Sequence, residues 1–592
     1  MPTIEKRFTT PNANDNFAAA FQATPTRTFD IYPTGVVATD TATWGLAVDR
    51  VNAVTDGANI RIIDNAQPFV TSGALASPKT ILNSCRIYGE TKSSRWNMIS
   101  DFEWSFGGYE IPYYQTGLAS YYSDIGTFTA VVVDADFITG VTGISLNVND
   151  WVILFSQNDA DVIPETAPHV TNGFNHVAEI YQIKRIIGAR HYLDRPILHA
   201  IATAPMIRRV DLVKNWGLHN LTIDRSGGTI DLGVQHRYCK VQRSKSFIFE
   251  DIHYISAPGH IEFHGAVNTR FDGVTDESMA SKGDYGVAVG LSYNFKMNDC
   301  YYQFPQHAFA TGAQNGANGS GWELHYWGTC EFARIVNCHS TLLTDSLYGS
   351  GGEVPSTGTA GATIGSGMGG GFDCHSNAVD VEFIGCSVTS TQGWNNSIGA
   401  TLRGRHNGVR DFDYRNVAVA NTYGTAVELH GGDQWAHNVT MENGWFGVRV
   451  MDPYVGTTIY HKSRITGGYF KNLFGPAVWV ATGHNDCHIV GIKECKDVGK
   501  GATASGGSAH DRSAIHLGGG TGHRVLGNNI PSGGGGGNTY SVDSTGLAIT
   551  DMMVLGNYCT GYGIASIGPK TTNGGGSNYI NDEFATRNYT DT

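Results

Sequence analysis

The sequence is poor in charged residues, in proline and in long apolar runs, and each shortage excludes a class of protein. Charged residues make up 16% of the 592 residues and prolines number 18, whereas globular chains usually carry ~25% charged residues. No apolar run reaches the ~18 residues that cross a bilayer. The N-terminal Met1–Arg7 segment is not followed by the apolar core of a signal peptide. We therefore expect neither membrane insertion nor export by a signal peptide.

Basic clusters and paired cysteines are also missing. The formal net charge is −13, and without basic clusters this argues against nucleic acid or an anionic membrane as the main partner. The ten cysteines form no CxxC pair, so neither a structural zinc site nor a disulfide scaffold is indicated. We expect reduced thiols packed in a core, and no metal or cofactor.

Glycine and short β-type segments are abundant instead. Glycine accounts for 76 residues and hydrophobic residues for 41%, which suits many tight turns around a continuous core. From about Arg208 onward, a strand with inward aliphatic residues that closes on Asn, Gly or Cys recurs at intervals of roughly 24–38 residues. The copies include Asn294–Cys300, Ala333–Cys338, Val381–Cys386, Val439–Gly444, Arg464–Gly468, His523–Asn528 and Met553–Asn557.

This repeat predicts a β-solenoid, because each unit can bury its apolar face only against its neighbours. A propeller needs four strands per blade, and most of the intervals are too short for that. The predicted division is an N-terminal cap at 1–40, first coils of a β-helix at 41–127, a small β insertion at 128–205, the main β-helix at 206–560 and a C-terminal tail or cap at 561–592.

Two further segments support this division. Asn14 or Asp15 is placed to cap a short helix over Phe17–Phe21, and a turn follows at Tyr32–Gly35. Such a helix can cover the open end of the first coil. Between Phe128 and Ala202 the pattern is strand-like and interrupted by Gly and Asp, which indicates the insertion.

A second recurring strand carries an acid and a histidine two residues apart. Because residues that alternate with buried aliphatic residues point outward, these pairs should form one outward stripe. The pairs are Glu262 with His264, Glu323 with His325, Asp373 with His375, and Glu428 with His430. Arg403 and Arg405 lie on the strand between the last two pairs, and later coils add Arg449, Trp479 and His516.

The spacing of coils suits glycoside cleavage. Parallel strands lie ~4.8 Å apart, so adjacent coils match the carboxyl separation of retaining glycosidases, and coils two apart, at roughly 9.6 Å, match inverting ones. We expect Glu323 and Asp373 on adjacent coils, and Asp373 and Glu428 on either side of the Arg403 coil. The predicted catalytic residues are Asp373, Glu428 and Glu323. The predicted substrate-binding residues are His325, His375, Arg403, Arg405, His430, Trp394, Trp435 and Trp479.

One of Asp373 and Glu428 would act as general base and the other as general acid, with the assignment open. A simpler interpretation is that stacked acid–histidine pairs only hydrogen-bond to one another along the solenoid.

The helix signal, the Tyr32–Gly35 turn, the insertion around Asn149–Trp151 and the strand ladder together resemble the pectin-lyase-like right-handed β-helices, especially bacteriophage tailspike depolymerases. The resemblance implies an all-β fold: a right-handed single-stranded parallel β-helix with a short N-terminal capping helix and a small β insertion. It also implies a homotrimer in the phage tail, or outside the host after lysis. Its partners would be a bacterial surface polysaccharide and other virion tail proteins.

Three functions compete. The leading one is hydrolysis of a capsule, O-antigen or exopolysaccharide by the paired carboxylates. The second is a polysaccharide lyase that acts on a uronate through a cluster of Arg403, Arg405 and His406. The third is a non-catalytic adhesin or virion structural protein that binds glycan through the same stripe.

Overall fold

The computed structural model describes 22 segments of the chain: residues 27–73, 80–99, 104–107, 125–156, 178–202, 205–214, 216–225, 237–255, 260–277, 285–303, 307–311, 328–342, 370–374, 378–390, 398–416, 424–451, 462–481, 483–499, 513–531, 540–543, 549–559 and 579–581. Forty strands join into one sheet in which each strand pairs in parallel with its equivalent on the next coil. This arrangement is a parallel β-helix, and it confirms the predicted fold class. In the described part of the chain, no helix is long and apolar enough to cross a membrane.

The winding sheet has three faces, which we call A, B and C in the order in which each coil visits them. Face A contains Thr80–Ile81, Trp104–Phe106, Arg237–Lys245, His260–Asp272, Tyr285–Val289, His307–Thr311, Gly370–Cys374, Ile398–Leu402, Thr425–Leu429, Phe446–Val450, Val478–Val480, Ser513–Leu517 and Tyr540–Asp543.

Face B contains Thr28–Ile31, Ala58–Ile62, Cys85–Gly89, Gly217–Asp224, Ile248–Ile255, Ser292–Asn298, Cys330–Val336, Ala378–Val379, Glu382–Ile384, Gly408–Arg410, Gln434–His437, Ser463–Thr466, His488–Val490, Arg524–Leu526, Met553–Leu555 and Tyr579–Asn581. Face C contains Phe69–Ser72, Arg95–Ile99, Thr275–Glu277, Tyr301–Gln303, His339–Leu342, Ser387–Ser390, Asp413–Asn416, Thr440–Gly444, Tyr469–Leu473, Glu494–Lys496, Asn529–Ile530 and Tyr558–Cys559.

A few strands lie at the corners or bend around them. Gly217–Asp224 pairs with Cys85–Gly89 on face B and with Arg95–Ile99 on face C. His260–Asp272 likewise pairs with Tyr285–Val289 on face A and with Ser292–Asn298 on face B, and these two strands join the three faces into a single sheet. The corner strands are Val213–Lys214, Gly520–Thr521 and Ile549–Thr550.

The turn from face B to face C uses one left-handed residue in each coil. Short polar side chains and glycine tolerate this backbone conformation best, and the position is held by Asp299, Asn337, Gly385, Asp411, Asn438 and Gly467. In several copies of the sequence repeat this residue stands one position before the closing residue, as Asn337 does before Cys338 and Gly385 before Cys386. The side chains at this position also link coils, since Nδ2 of Asn438 donates to Oδ1 of Asp411 at 2.6 Å.

The interior is a continuous stack of aromatic, aliphatic and cysteine side chains. At its N-terminal end, Trp44, Trp96 and Trp104 pack with ring centroids 4.6 to 5.8 Å apart. Nine described cysteines are buried and free, as the sequence predicted. Burial raises the pKa of the Cys330 thiol to about 12, so these thiols are inert packing groups.

A helix covers the first coil. Val37–Asn52 buries Trp44, Val48 and Val51 and follows the turn at Tyr32–Gly35. The Asp40 carboxylate accepts hydrogen bonds from the amides of Gly35 and Val70, which fixes the helix to face C. The expected N-terminal helix is therefore present, while the Phe17–Phe21 run that suggested it lies outside the described residues.

A separate six-stranded antiparallel sheet is formed by strands that lie, in sequence, between Trp104–Phe106 and Arg237–Lys245 of face A. Its strands are Ile125–Thr127, Phe137–Ile138, Trp151–Ser156, Ala178–Ile187, Arg190–Leu193 and Pro205–Val210. We call this segment the insertion. It has its own core, and it packs on the β-helix through Ile153, Ile180 and Val210 against Val267 and Leu291.

One arginine fastens the insertion to the β-helix. Nε of Arg195 lies 2.6 Å from Oε2 of Glu331 on face B, and the Arg195 guanidinium lies 3.7 Å from the Tyr293 ring centroid. Burial raises the pKa of Glu331 in this ion pair to about 7.

Candidate functional site

One outward position on face A repeats from coil to coil. Its residues lie beside one another in register, and we call the set the acid–arginine row. It consists of Lys240, Glu262, Ala288, Ala310, Asp373, Thr401, Glu428, Arg449, Trp479, His516 and Asp543. The register places Asp373 and Glu428 two coils apart, with Thr401 between them.

Asp373 is contacted by a basic side chain from each neighbouring coil. Nη1 of Arg403 donates to its two oxygens at 3.2 and 3.3 Å, and Nε2 of His307 lies 3.6 Å from Oδ2. Arg403 comes from the following coil and His307 from the preceding one. Phe372 and Cys374, the neighbours of Asp373 in sequence, are fully buried in the core. The Asp373 side chain, which alternates with them, therefore points away from the core.

Glu428 has a similar environment two coils further along the row. Its carboxylate lies 3.1 Å from Nε2 of His430 and accepts a hydrogen bond from Nη1 of Arg449 at 2.8 Å. Burial pushes the pKa of Glu428 upward, but His430, Arg449 and Arg403 together outweigh it and hold the pKa below its ordinary value. Glu428 is therefore ionised at neutral pH.

Aromatic rings continue the row beyond Glu428. The Arg449 guanidinium lies 4.9 Å from the Phe446 ring centroid and 5.1 Å from the Trp479 centroid. Trp479 in turn stacks on His516, with centroids 6.3 Å apart and planes 14° apart. Since an indole can also receive the apolar face of a sugar ring, Trp479 is a candidate platform next to the carboxylates.

The structure brings five predicted site residues together: Asp373, Arg403, Glu428, His430 and Trp479. Their carboxylates differ from the expectation in one respect, because Asp373 and Glu428 expose only 2% and 6% of their surface. They point outward from the core, as predicted, yet arginines from neighbouring coils fold over them and cover part of each carboxylate.

The coil before Asp373 is not the one that the sequence suggested. Face A strand His307–Thr311 pairs with Gly370–Cys374 and sets Ala310 beside Asp373, in the place that the sequence analysis gave to Glu323. That adjacent-coil assignment is wrong for the described strands, because coil length varies and a repeat of irregular period does not fix which strands pair. Glu323, His325, His375 and Trp394 themselves lie outside the described residues.

The predicted cluster of Arg403, Arg405 and His406 is divided among three surroundings. Gly404 and His406 have positive φ values of 83° and 56°, so the chain turns from face A to face B between them and strict alternation ends. Arg403 faces Asp373, whereas Nη2 of Arg405 donates to the Leu198 carbonyl of the insertion at 2.9 Å. The cluster proposed for a lyase is thus not formed.

Trp435 also lies away from the row. It belongs to Gln434–His437 on face B, in register with Gly408 and Arg464. Trp435 and His406 both line a pocket on this face. Trp479 and Trp435 therefore lie on different faces, although each is followed in the sequence by a buried aliphatic residue, Val480 and Ala436.

Sequence reasoning missed two residues of the site, His307 and Thr401. Neither belongs to an acid–histidine pair, so only the strand register identifies them. The pair Glu262 and His264 is present and fully buried, with the two side chains hydrogen-bonded to each other. Ala288 and Ala310 separate it from Asp373 along the row.

Comparisons with known proteins identify the fold. No protein-family model matches the chain, and no curated protein matches its sequence. The solved tailspike gp61 of Pseudomonas phage phi297 superimposes with a TM-score of 0.55 at 11% identity, covering 90% of this chain and 76% of that one. The chain has the parallel β-helix fold of phage tailspikes. The tailspike gp49 of Pseudomonas phage LKA1 agrees, with a TM-score of 0.52 at 14% identity over 89% of this chain and 75% of that one.

Within this tailspike fold, the acid–arginine row has groups suited to acid–base chemistry. Two carboxylates separated by one coil stand roughly 9.6 Å apart at the backbone, which leaves room for a sugar and a water molecule. Arg403, His430 and Arg449 supply donors for hydroxyl groups. In the part of the chain that the structure describes, no three His, Cys, Asp or Glu side chains are grouped to hold a metal ion.

Proposed function

We propose that this chain is a tailspike-like depolymerase that binds a bacterial surface polysaccharide along the acid–arginine row and cleaves it by hydrolysis. The observation that carries the proposal is the placement of Asp373 and Glu428 on alternate coils of one face, with Arg403 between them and Trp479 beyond. The polysaccharide would be a capsule, an O-antigen or an exopolysaccharide, and the protein would act on the virion tail as a homotrimer.

The two carboxylates take different roles in this proposal. Glu428 is the general base, because its lowered pKa keeps it ionised and ready to activate water. Asp373 is the general acid and, in its protonated form, donates to the glycosidic oxygen while Glu428 takes a proton from the attacking water. The separation of two coils favours inversion at the anomeric carbon. His430 and Arg403 would bind hydroxyl groups, and Trp479 would stack on a ring. A catalytic role for Glu323 and substrate-binding roles for His325, His375 and Trp394 stay predictions.

The test is cleavage of a panel of purified bacterial surface polysaccharides by the wild type, Asp373→Asn and Glu428→Gln. New reducing ends without ultraviolet absorbance indicate hydrolysis, and absorbance from an unsaturated uronate indicates a lyase. Loss of a general acid or base should lower the rate by about 10²- to 10⁴-fold. Glu442→Gln on face C is the matched control, since Glu442 is half-exposed and pairs with Lys471 at 3.2 Å. Near-normal cleavage by both folded row variants would refute the assignment.

A second candidate, glycan binding without cleavage, is favoured by one specific observation. Both carboxylates are already paired with arginines and are almost fully buried, which is a common arrangement for purely structural ion pairs. In that case the wild type would retain a polysaccharide on an affinity gel without shortening it. The same panel therefore separates the two candidates.

A further inference from the structure

A pocket of about 300 Å³ opens on face B, around the corner from the acid–arginine row. It is lined by His406, Arg410, Asp433, Gln434, Trp435, Lys462 and Arg464. This volume is at the lower end of the range for small-ligand sites. Neither the carboxylates nor Trp479 of the row belongs to it, so the two sites occupy different faces of the same coils.

The floor of this pocket is an indole that depends on a glycine. Trp435 lies directly over Gly408 on the preceding coil, and a Cβ atom at Gly408 would overlap the indole ring. The missing side chain lets the indole lie back against the strand instead of standing away from it. Trp435 remains half-buried, and its outer surface is available to the pocket. Such a platform suits the apolar C–H face of a pyranose ring.

The rim of the pocket is positively charged. Arg410, Lys462 and Arg464 line it, against the single acid Asp433. Arg410 pairs with Glu382 at 2.9 Å, but Glu382 also faces Arg334 at 3.3 Å and is shared between two cations. Within the described part of the chain, Lys462 and Arg464 make no ion pair and no side-chain hydrogen bond, and both are exposed. In a chain of net charge −13, this local excess of cations favours the binding of an anion.

The neighbouring coils extend the positive field. Along face B, Trp435, Arg464, His488 and Arg524 lie in register on successive coils. Burial first, and then Arg524 and Arg464, hold the pKa of His488 below its ordinary value. The imidazole is therefore neutral at neutral pH, and its lowered pKa is a consequence of the positive charge around it. An anion near Arg464 therefore meets several fixed cations within a few coils.

We propose that this pocket binds an acidic sugar, a pyranose that carries a carboxylate, with its ring on Trp435 and its carboxylate on Arg464 and Lys462. An aromatic platform alone would fit any sugar, and a basic rim alone would fit any small anion. The combination selects a group with both features. This site on face B is separate from the proposed cleavage site on face A, and the proposal does not depend on cleavage at face A.

The proposal is tested by titration calorimetry of the full chain with trigalacturonate. Two reference ligands separate the two halves of the recognition: fully methyl-esterified trigalacturonate keeps the sugars and removes the charge, and triglutamate keeps the charge and removes the sugars. We expect measurable affinity for trigalacturonate and at least tenfold weaker binding of both references.

Three variants locate the binding. Arg464→Ala and Trp435→Ala should each weaken trigalacturonate binding about tenfold or more, the effect of losing one charge-assisted hydrogen bond or the stacking surface. Arg415→Ala on face C is the matched control, because it removes one exposed arginine of the same solenoid, and it should bind as the wild type does.

Four outcomes of the calorimetry would overturn the proposal. They are equal binding of triglutamate, equal binding of the esterified ligand, unchanged affinity in both pocket variants, or no binding of trigalacturonate to the wild type. Sedimentation of each variant provides the remaining check. A change in assembly mass on Trp435→Ala without a change in affinity would show that the pocket is a contact between copies of the chain, and this too would overturn it.

Discussion

The ion pair between Arg195 and Glu331 should make docking of the insertion weaken as pH rises. Glu331 ordinarily titrates near 4.5, and burial raises its pKa to about 7 in the docked state despite Arg195 beside it. Between these two values the docked state keeps a proton that the undocked state has lost, so each pH unit costs ~1.4 kcal/mol of docking free energy. Over the whole interval the loss is about 3 kcal/mol, and no further change is expected above pH 7.

Glu331→Gln removes the titration. Glutamine imitates the protonated carboxyl, so the variant should dock as well as the wild type near pH 4.5 and more tightly, by up to about 3 kcal/mol, at pH 8. The measurement is hydrogen exchange of the insertion strand Ala178–Ile187, corrected for the intrinsic exchange rate at each pH. Glu442→Gln, on face C, should follow the wild type.

Parallel pH profiles of the wild type and Glu331→Gln would refute this prediction. Weaker docking of the insertion in Glu331→Gln than in the wild type at pH 8 would refute it as well. Parallel profiles would mean that the Arg195 guanidinium fully compensates for the burial of Glu331. The ordinary pKa of the carboxyl would then survive in the docked state.

Three other outcomes follow from the structure. Arg449→Met removes one of the cations that lower the pKa of Glu428, so the acidic limb of a cleavage or binding profile should move to higher pH; an unchanged limb would show that Glu428 is not the titrating group. Trp44→Ala should destabilise the N-terminal end by about 3–5 kcal/mol in denaturant titrations, because it empties a site between Trp96 and Trp104; a loss below about 1 kcal/mol would contradict the packing. The native protein should react with Ellman's reagent at no more than one of its ten cysteines, and at all ten in guanidinium; rapid labelling of several native thiols would contradict their burial.

The fold was predictable from the sequence because its rules are local. One left-handed residue per coil, such as Asn337 or Asp411, restricts the repeat to Asn, Asp or Gly at that position. The inward aliphatic residues recur beside it with a period of two. Both signals survive variation in coil length, so the parallel β-helix follows from them without knowledge of which coil pairs with which.

The site was only partly predictable because it depends on pairing between coils. Asp373 and Glu428 were located correctly on either side of the coil that carries Arg403, where coil lengths are regular. Ala310 took the place expected for Glu323, because the preceding coil is long and its strand cannot be chosen by pattern alone. The burial of the carboxylates also escaped prediction, since it depends on which way the Arg403 and Arg449 side chains fold.

Trp435 shows a second limit. Alternation assigns residues to the inside or the outside of a strand but does not say on which face the strand lies. The positive φ angles at Gly404 and His406 mark the corner between faces, and glycine and histidine occur at too many other positions to reveal it.

The two candidate sites share their coils, and this constrains how the protein can change over evolutionary time. The coil that supplies Thr401 and Arg403 to face A supplies Gly408 and Arg410 to face B, and the next coil supplies both Glu428 and Trp435. Duplication or deletion of a whole coil, the simplest rearrangement of a repetitive gene, would therefore shift both sites in one step. New sugar specificities should arise by substitution of single side chains within a fixed number of coils, while changes in coil number should accumulate outside the segment from Gly370 to Thr466.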